Sequence, residues 1–229
     1  MSDVQGILRT VQAIARHEVG KQAAPRLAIV TSVHGANGQP DHACTVRLRE
    51  SEIVLPKVPI ATGLIGAVGL PQENDLVVVL FLDGDMHAPV IAGRLYSDDV
   101  APPPHGPDQV VVALPPRAET PDDQLIVTAD TPGDSRSLTV ALGGDVAVQV
   151  EVSDGRIALT MGDKTQVTLT QSGASDGKVE IAAGTAKITL EQDGDIAIET
   201  AGKLSLKGTE VEIAGDAGVK INGATVELN

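Results

Sequence analysis

The chain has 229 residues, 42% of them hydrophobic, with one Phe, one Tyr and no Trp. Its core must therefore come from aliphatic side chains rather than from aromatics, which usually carry the largest buried area. A formal charge of −14 opposes nucleic acid and anionic lipid, and the missing aromatics remove base-stacking platforms.

No apolar run approaches the roughly 18 residues of a membrane span, and the N-terminus lacks the basic-then-apolar layout of a leader. A soluble protein made in the cytoplasm is expected.

In residues 1–25, Val4, Ile7, Leu8, Val11, Ile14 and Ala15 recur at helical spacing after a possible cap at Ser2 or Asp3, and Gly20 and Pro25 end the pattern. This predicts an amphipathic helix with one sticky face, for its own barrel or for a partner. Residues 26–97 change to short strands: Leu27 to Val33, Cys44 to Arg49, Ile53 to Ile60, Leu76 to Leu82 and Pro89 to Tyr96, with Asp83-Gly84-Asp85 as a hairpin signal. Five strands in this space suit a small closed barrel of the oligonucleotide/oligosaccharide-binding type (OB-fold). Cys44, the one cysteine, lies in an apolar run and reads as a small buried hydrophobe.

Residues 98–124 hold seven of the fourteen prolines and read as a semi-rigid connector, with Val110 to Leu114 able to pair as a single strand. Residues 125–229 become apolar-x-apolar units separated by Gly, Asp, Asn and Ser. Strands at Leu138 to Leu142, Val146 to Val152, Ile157 to Met161 and Val167 to Leu169 are followed by Val179/Ile181, Ile188/Leu190, Ile196/Ile198, Leu204/Leu206, Val211/Ile213, Val219/Ile221 and Val226/Leu228. The shortening units predict a taper towards the C-terminus.

A strand with two apolar residues on one face cannot close a core alone, so stacking is compulsory. Either one chain coils into a solenoid or identical chains share their apolar faces, and units this short favour three chains in a triangular prism. The fold expected is thus all-β: a short N-terminal helix, an OB-fold barrel and an intertwined trimeric β-helix. Recurrent Gly-Asp and Asp-Gly pairs are better explained as corner turns than as calcium ligands, because a calcium-binding β-roll needs Gly-Gly-x-Gly-x-Asp repeats that this chain lacks.

No catalytic constellation, metal site or cofactor motif stands out. Asp83-Gly84-Asp85-Met86-His87 reads as a hairpin tip, and His34 and His42 as solvated loop residues.

Glu73-Asn74-Asp75-Leu76-Val77-Val78-Val79-Leu80-Phe81-Leu82-Asp83-Gly84-Asp85, then Pro89-Val90-Ile91-Ala92-Gly93-Arg94-Leu95-Tyr96, resembles the barrel signature of the central spike proteins of contractile injection systems. These are the phage baseplate assembly protein V and the valine-glycine-repeat spike of type VI secretion. The signature positions are Asp75, Phe81, Asp83, Gly84, Asp85, Pro89, Gly93, Leu95 and Tyr96. The resemblance implies a non-enzymatic homotrimeric needle, assembled in the cytoplasm into the baseplate of a virion or injection particle and driven through a target envelope by sheath contraction.

With only about 25 residues ahead of the barrel, the hub of such a particle would be a separate protein, met by the face of Val4, Ile7, Leu8, Val11 and Ile14. The 27-residue connector is too short for an inserted lysozyme domain. All five histidines (His17, His34, His42, His87 and His105) precede the repeats, so the apex lacks the imidazole ligands of some phage spikes. The last residues, Thr225, Val226, Glu227, Leu228 and Asn229, would seat a separate proline-alanine-alanine-arginine-repeat (PAAR-repeat) tip protein. A nucleic-acid-binding barrel and a monomeric β-solenoid adhesin or lyase are the alternatives.

Overall fold

The computed structural model describes residues 23–35, 38 and 40–227. The expected helix bearing Val4 to Ile14, and Leu228 and Asn229 at the other end, lie outside the described residues. The protein is all-β, with fourteen strands in two antiparallel sheets among the described residues. It divides into two compact units, one ending at Pro102 and one beginning at Pro103.

The first unit contains β1 (Arg26–His34), β2 (Ala43–Leu48), β3 (Val54–Pro59), β4 (Leu76–Phe81) and β5 (Pro89–Leu95), in the sheet order β3-β2-β1-β4-β5. The two outer strands meet: Ile60, just beyond β3, bridges Ile91 of β5 in parallel, and the N–H of Ala61 donates to the Ile91 carbonyl at 2.8 Å. Register shifts at Val30/Ser32, Cys44/Val46 and Val78/Val79 put bulges in three of the ladders. Such bulges sharpen twist and let a short sheet curl. Inside the curl, Ala28, Val30, Cys44, Val46, Val58, Val77, Val79 and Ile91 lose all solvent contact, and Phe81 closes one end. Cys44 is buried as expected, and burial pushes its thiol pKa up.

The second unit is one meander: β6 (Gln109–Leu114), β7 (Leu125–Asp130), β8 (Ser137–Leu142), β9 (Val148–Ser153), β10 (Arg156–Met161), β11 (Thr165–Thr170), β12 (Lys178–Ala183), β13 (Ala186–Glu191) and β14 (Ile196–Glu199), each paired with its sequence neighbours. One expectation holds here and one changes. The run Val110 to Leu114, read as able to pair as a strand, is part of the first strand of this sheet. The taper is abrupt, with six residues per strand from β6 to β13, four in β14, and no strand among the described residues 200–227. The turns explain the tight repeat. Gly155, with φ +73, joins β9 to β10, and a Cβ there would fall 2.6 Å from the Gln171 carbonyl oxygen, where the next turn packs. Only glycine fits that crossing.

Candidate assembly interface

Following the register across the nine strands shows what the repeat builds. One row runs Val112, Val127, Val140, Val150, Leu159, Val167, Ile181, Ile188 and Ile198, one residue per strand. A second row on the same face runs Val110, Ala129, Leu138, Val152, Ile157, Leu169, Val179, Leu190 and Ile196. A third begins Leu114, Leu125, Leu142, Val148 and Met161 before turning small and polar at Thr165, Ala183 and Ala186.

Because side chains alternate between faces along a strand, the period-two pattern places every one of these residues on one side. Among the described residues nothing covers them fully. Ile157 stays 45% exposed, Ile181 43% and Ile198 54%.

Nine strands at about 4.8 Å make this face about 40 Å wide and about 20 Å along the strands, larger than the apolar patch of an ordinary soluble monomer. Fully burying a Val, Leu or Ile is worth about 1.5–3 kcal/mol, so completing the burial of a half-covered one gains roughly 1 kcal/mol. An open groove of about 630 Å³, lined by Val152, Ile157, Leu169, Val179 and Leu190 among others, runs along one margin.

The opposite face is polar and internally paired. Arg156 donates to Glu151 at 2.8 Å, and Glu180 lies between Lys178 at 3.1 Å and Lys187. Those two ammonium groups hold the Glu180 carboxyl below its ordinary pKa, Lys187 contributing most, and Glu180 in return raises the pKa of Lys187. Arg136 grips Asp154 through its backbone N–H at 2.9 Å and its guanidinium at 2.8 Å, lowering the Asp154 pKa and tying two neighbouring turns together. This face is finished for solvent, and the aliphatic one is not.

The family-like signature in the first unit has structural reasons of its own. Asp83 (φ 52) and Gly84 (φ 76) both take positive φ, and the Asp85 N–H donates to the Leu82 carbonyl at 2.9 Å. That is type I′ geometry, which Asp-Gly adopts at low cost. The Asp85 carboxylate accepts the His87 N–H at 2.8 Å, so this cluster is a hairpin tip between β4 and β5. Asp75 accepts the Gln72 N–H at 2.8 Å with its carboxylate and the Val30 N–H at 3.0 Å with its carbonyl, fixing the entry to β4 at the bulge in β1. Phe81 is buried opposite Pro89, Gly93 lies opposite Val78, and Leu95 and Tyr96 are exposed. His34 bonds Thr45 Oγ1 at 2.9 Å.

Of the C-terminal residues singled out, Thr225, Val226 and Glu227 are exposed. Among the described residues, the acidic group with metal-ligand spacing is Glu191, Asp193 and Asp195, all exposed on a hairpin turn. No described helix is long and apolar enough to cross a membrane.

Two features escaped the sequence reading. Strand β7 was missed although Leu125, Val127 and Ala129 alternate. Strand β4 is apolar on both faces, so Leu80, with Leu27 and Leu95 nearby in the sheet, leaves a second, smaller patch outside the first unit. The uninterrupted run Leu76 to Leu82 was the available signal.

No protein-family model matches the chain, and no curated protein matches it.

Proposed function

We propose that this chain is the structural central spike of a contractile phage tail or phage-tail-like injection particle, working as a homotrimer. The observation that carries the reading is the open aliphatic face of the second unit, which needs a cover of its own kind. Three copies can lay their faces around a common axis, each meander forming one wall of a triangular prism. The barrel signature supports the spike family in particular, and the curled five-stranded sheet, with its outer strands meeting at Ile60 and Ile91, is compatible with an OB-fold.

Mechanically, a prism whose backbone groups are paired along every wall resists buckling and transmits the force of a contracting sheath. A separate hub would hold the N-terminal end, and a PAAR-repeat tip protein would cover the last repeat. Nothing in the polar clusters calls for chemistry in this role, so the protein is read as non-enzymatic and without a cofactor.

Light scattering on the purified chain is the first test, with an expected mass of three times 23.5 kDa. A 23.5 kDa monomer would overturn the prism. Antibody labelling of sheathed particles from the producing cells tests the role itself: label at one end of the tube supports a spike, and particles lacking the chain argue against it.

A further inference from the structure

We infer that the segment from 200 to 227 is a pairing surface for other copies of this chain, and that a ladder of alternating charge on its outward side fixes the register. The inference rests on the trimeric reading above.

Every described residue from 201 to 227 is exposed, and none is in a strand. Yet the apolar pairs Leu204/Leu206, Val211/Ile213 and Val219/Ile221 continue the inward pattern of the meander, and Val226 begins the next. Segments that alternate in this way without strand pairing among the described residues have backbone groups to pair elsewhere. Their apolar rows alone do not define how. With first members 7, 8 and 7 residues apart, the units are nearly interchangeable, and a slip by one whole unit would keep every aliphatic residue inside.

The outward residues remove that degeneracy. Around Leu204/Leu206 they include Lys203 and Lys207; around Val211/Ile213, Glu210 and Glu212; between Val219 and Ile221, Lys220; after Val226, Glu227. The sign therefore alternates from one unit to the next. Where three chains wind together and each passes to the next wall at every turn, the axial neighbour of one unit is the following unit of another chain. Correct stacking then sets Glu212 against Lys220 and Lys220 against Glu227. It also sets Glu210 against Lys203 or Lys207, according to strand direction. A slip by one unit opposes like charges throughout, which is destabilising across neighbouring strands.

The same rule already operates where pairing is visible. In the last strands of the meander, Lys178 stands opposite Glu191 and Lys187 opposite Glu199. Lys187 also makes an ion pair with Glu180 on the strand before.

The test uses the full chain, with its mass measured by light scattering and its amide hydrogen exchange followed over residues 200–227. Three proteins are compared: the unaltered chain, E210K/E212K, and a sign-inverted chain carrying K203E, K207E, E210K, E212K, K220E and E227K. The unaltered trimer should protect the amides of this segment. The double reversal should lower that protection at least tenfold while the mass stays at three chains, and the inverted chain should restore most of it.

A monomeric mass for the unaltered chain would sink the trimeric reading itself. A trimer whose segment exchanges freely would overturn the pairing surface. A trimer whose protection ignores the double reversal, or is not recovered by the inversion, would overturn the charge ladder.

Discussion

In the first unit Val30, Val46, Val58, Val77, Val79 and Ile91 are wholly removed from solvent, whereas in the second Leu159, Ile181 and Ile188 retain 38%, 43% and 37% of their exposure. The side chains are of the same kind, and both units place them by strict alternation. What differs is the connection order. Strand β1 pairs with β2 and with the distant β4, and the Ile60–Ile91 bridge turns the sheet back on itself. The meander pairs each strand only with its sequence neighbours, so it gains length without gaining an inside. Bulges reinforce the contrast: three interrupt the first unit's ladders, while the second's run in unbroken register. A closed sheet supplies its own core, and an open one leaves its aliphatic side exposed.

That contrast can be broken most forcefully at the centre of the open face. Leu159→Asp would place three carboxylates at the middle of the shared core, and an unpaired buried charge costs several kcal/mol. The expected outcome is a fall in mass from three chains to one by light scattering, with the first unit's unfolding unchanged. A trimeric mass for this variant would show that the face is not the contact.

The closed unit should respond differently. Ile91→Ala should destabilise it by about 2–5 kcal/mol, read by urea unfolding with a midpoint independent of protein concentration. A midpoint that moves with concentration would mean that the first unit also depends on association.

The smallest effect concerns the solvent face of the meander. Glu180 has a folded pKa below its ordinary 4.5, so its contribution is present above that value and is lost as pH falls through the lowered one. Lys187 has a folded pKa above its ordinary 10.5, so its contribution is present below that value and fades as pH rises through the raised one. E180Q should therefore flatten the acid limb of the second unit's stability profile while leaving the first unit's profile untouched.

Much of this architecture was legible in the sequence because alternation is a local signal. The five strands of the first unit lie within a residue or two of the spans expected from Leu27 to Tyr96, and Asp83-Gly84 announces its turn by the positive φ it must adopt. Closure was expected from the number of strands alone, since no local spacing pairs Ile60 with Ile91. The proline-rich stretch holds a strand for a physical reason. Prolines bar the positions around Val110 to Leu114 from a ladder, yet the five residues themselves carry N–H groups free to pair, and they form β6. Beyond Glu199 the alternation persists while the described residues form no further strand.

The hairpin-by-hairpin order of the meander also bears on how the protein comes to be. Each strand from β7 onward finds its partner in the strand made just before it, so this unit zips locally and quickly, with little loop entropy to overcome. Strand β1 must instead wait for β4 to be synthesised. Synthesis completes the first unit, through Leu95, before β6 begins, so the self-sufficient unit is made first and the long sheet follows with its aliphatic side exposed. A chain with such a side exposed is open to wrong association.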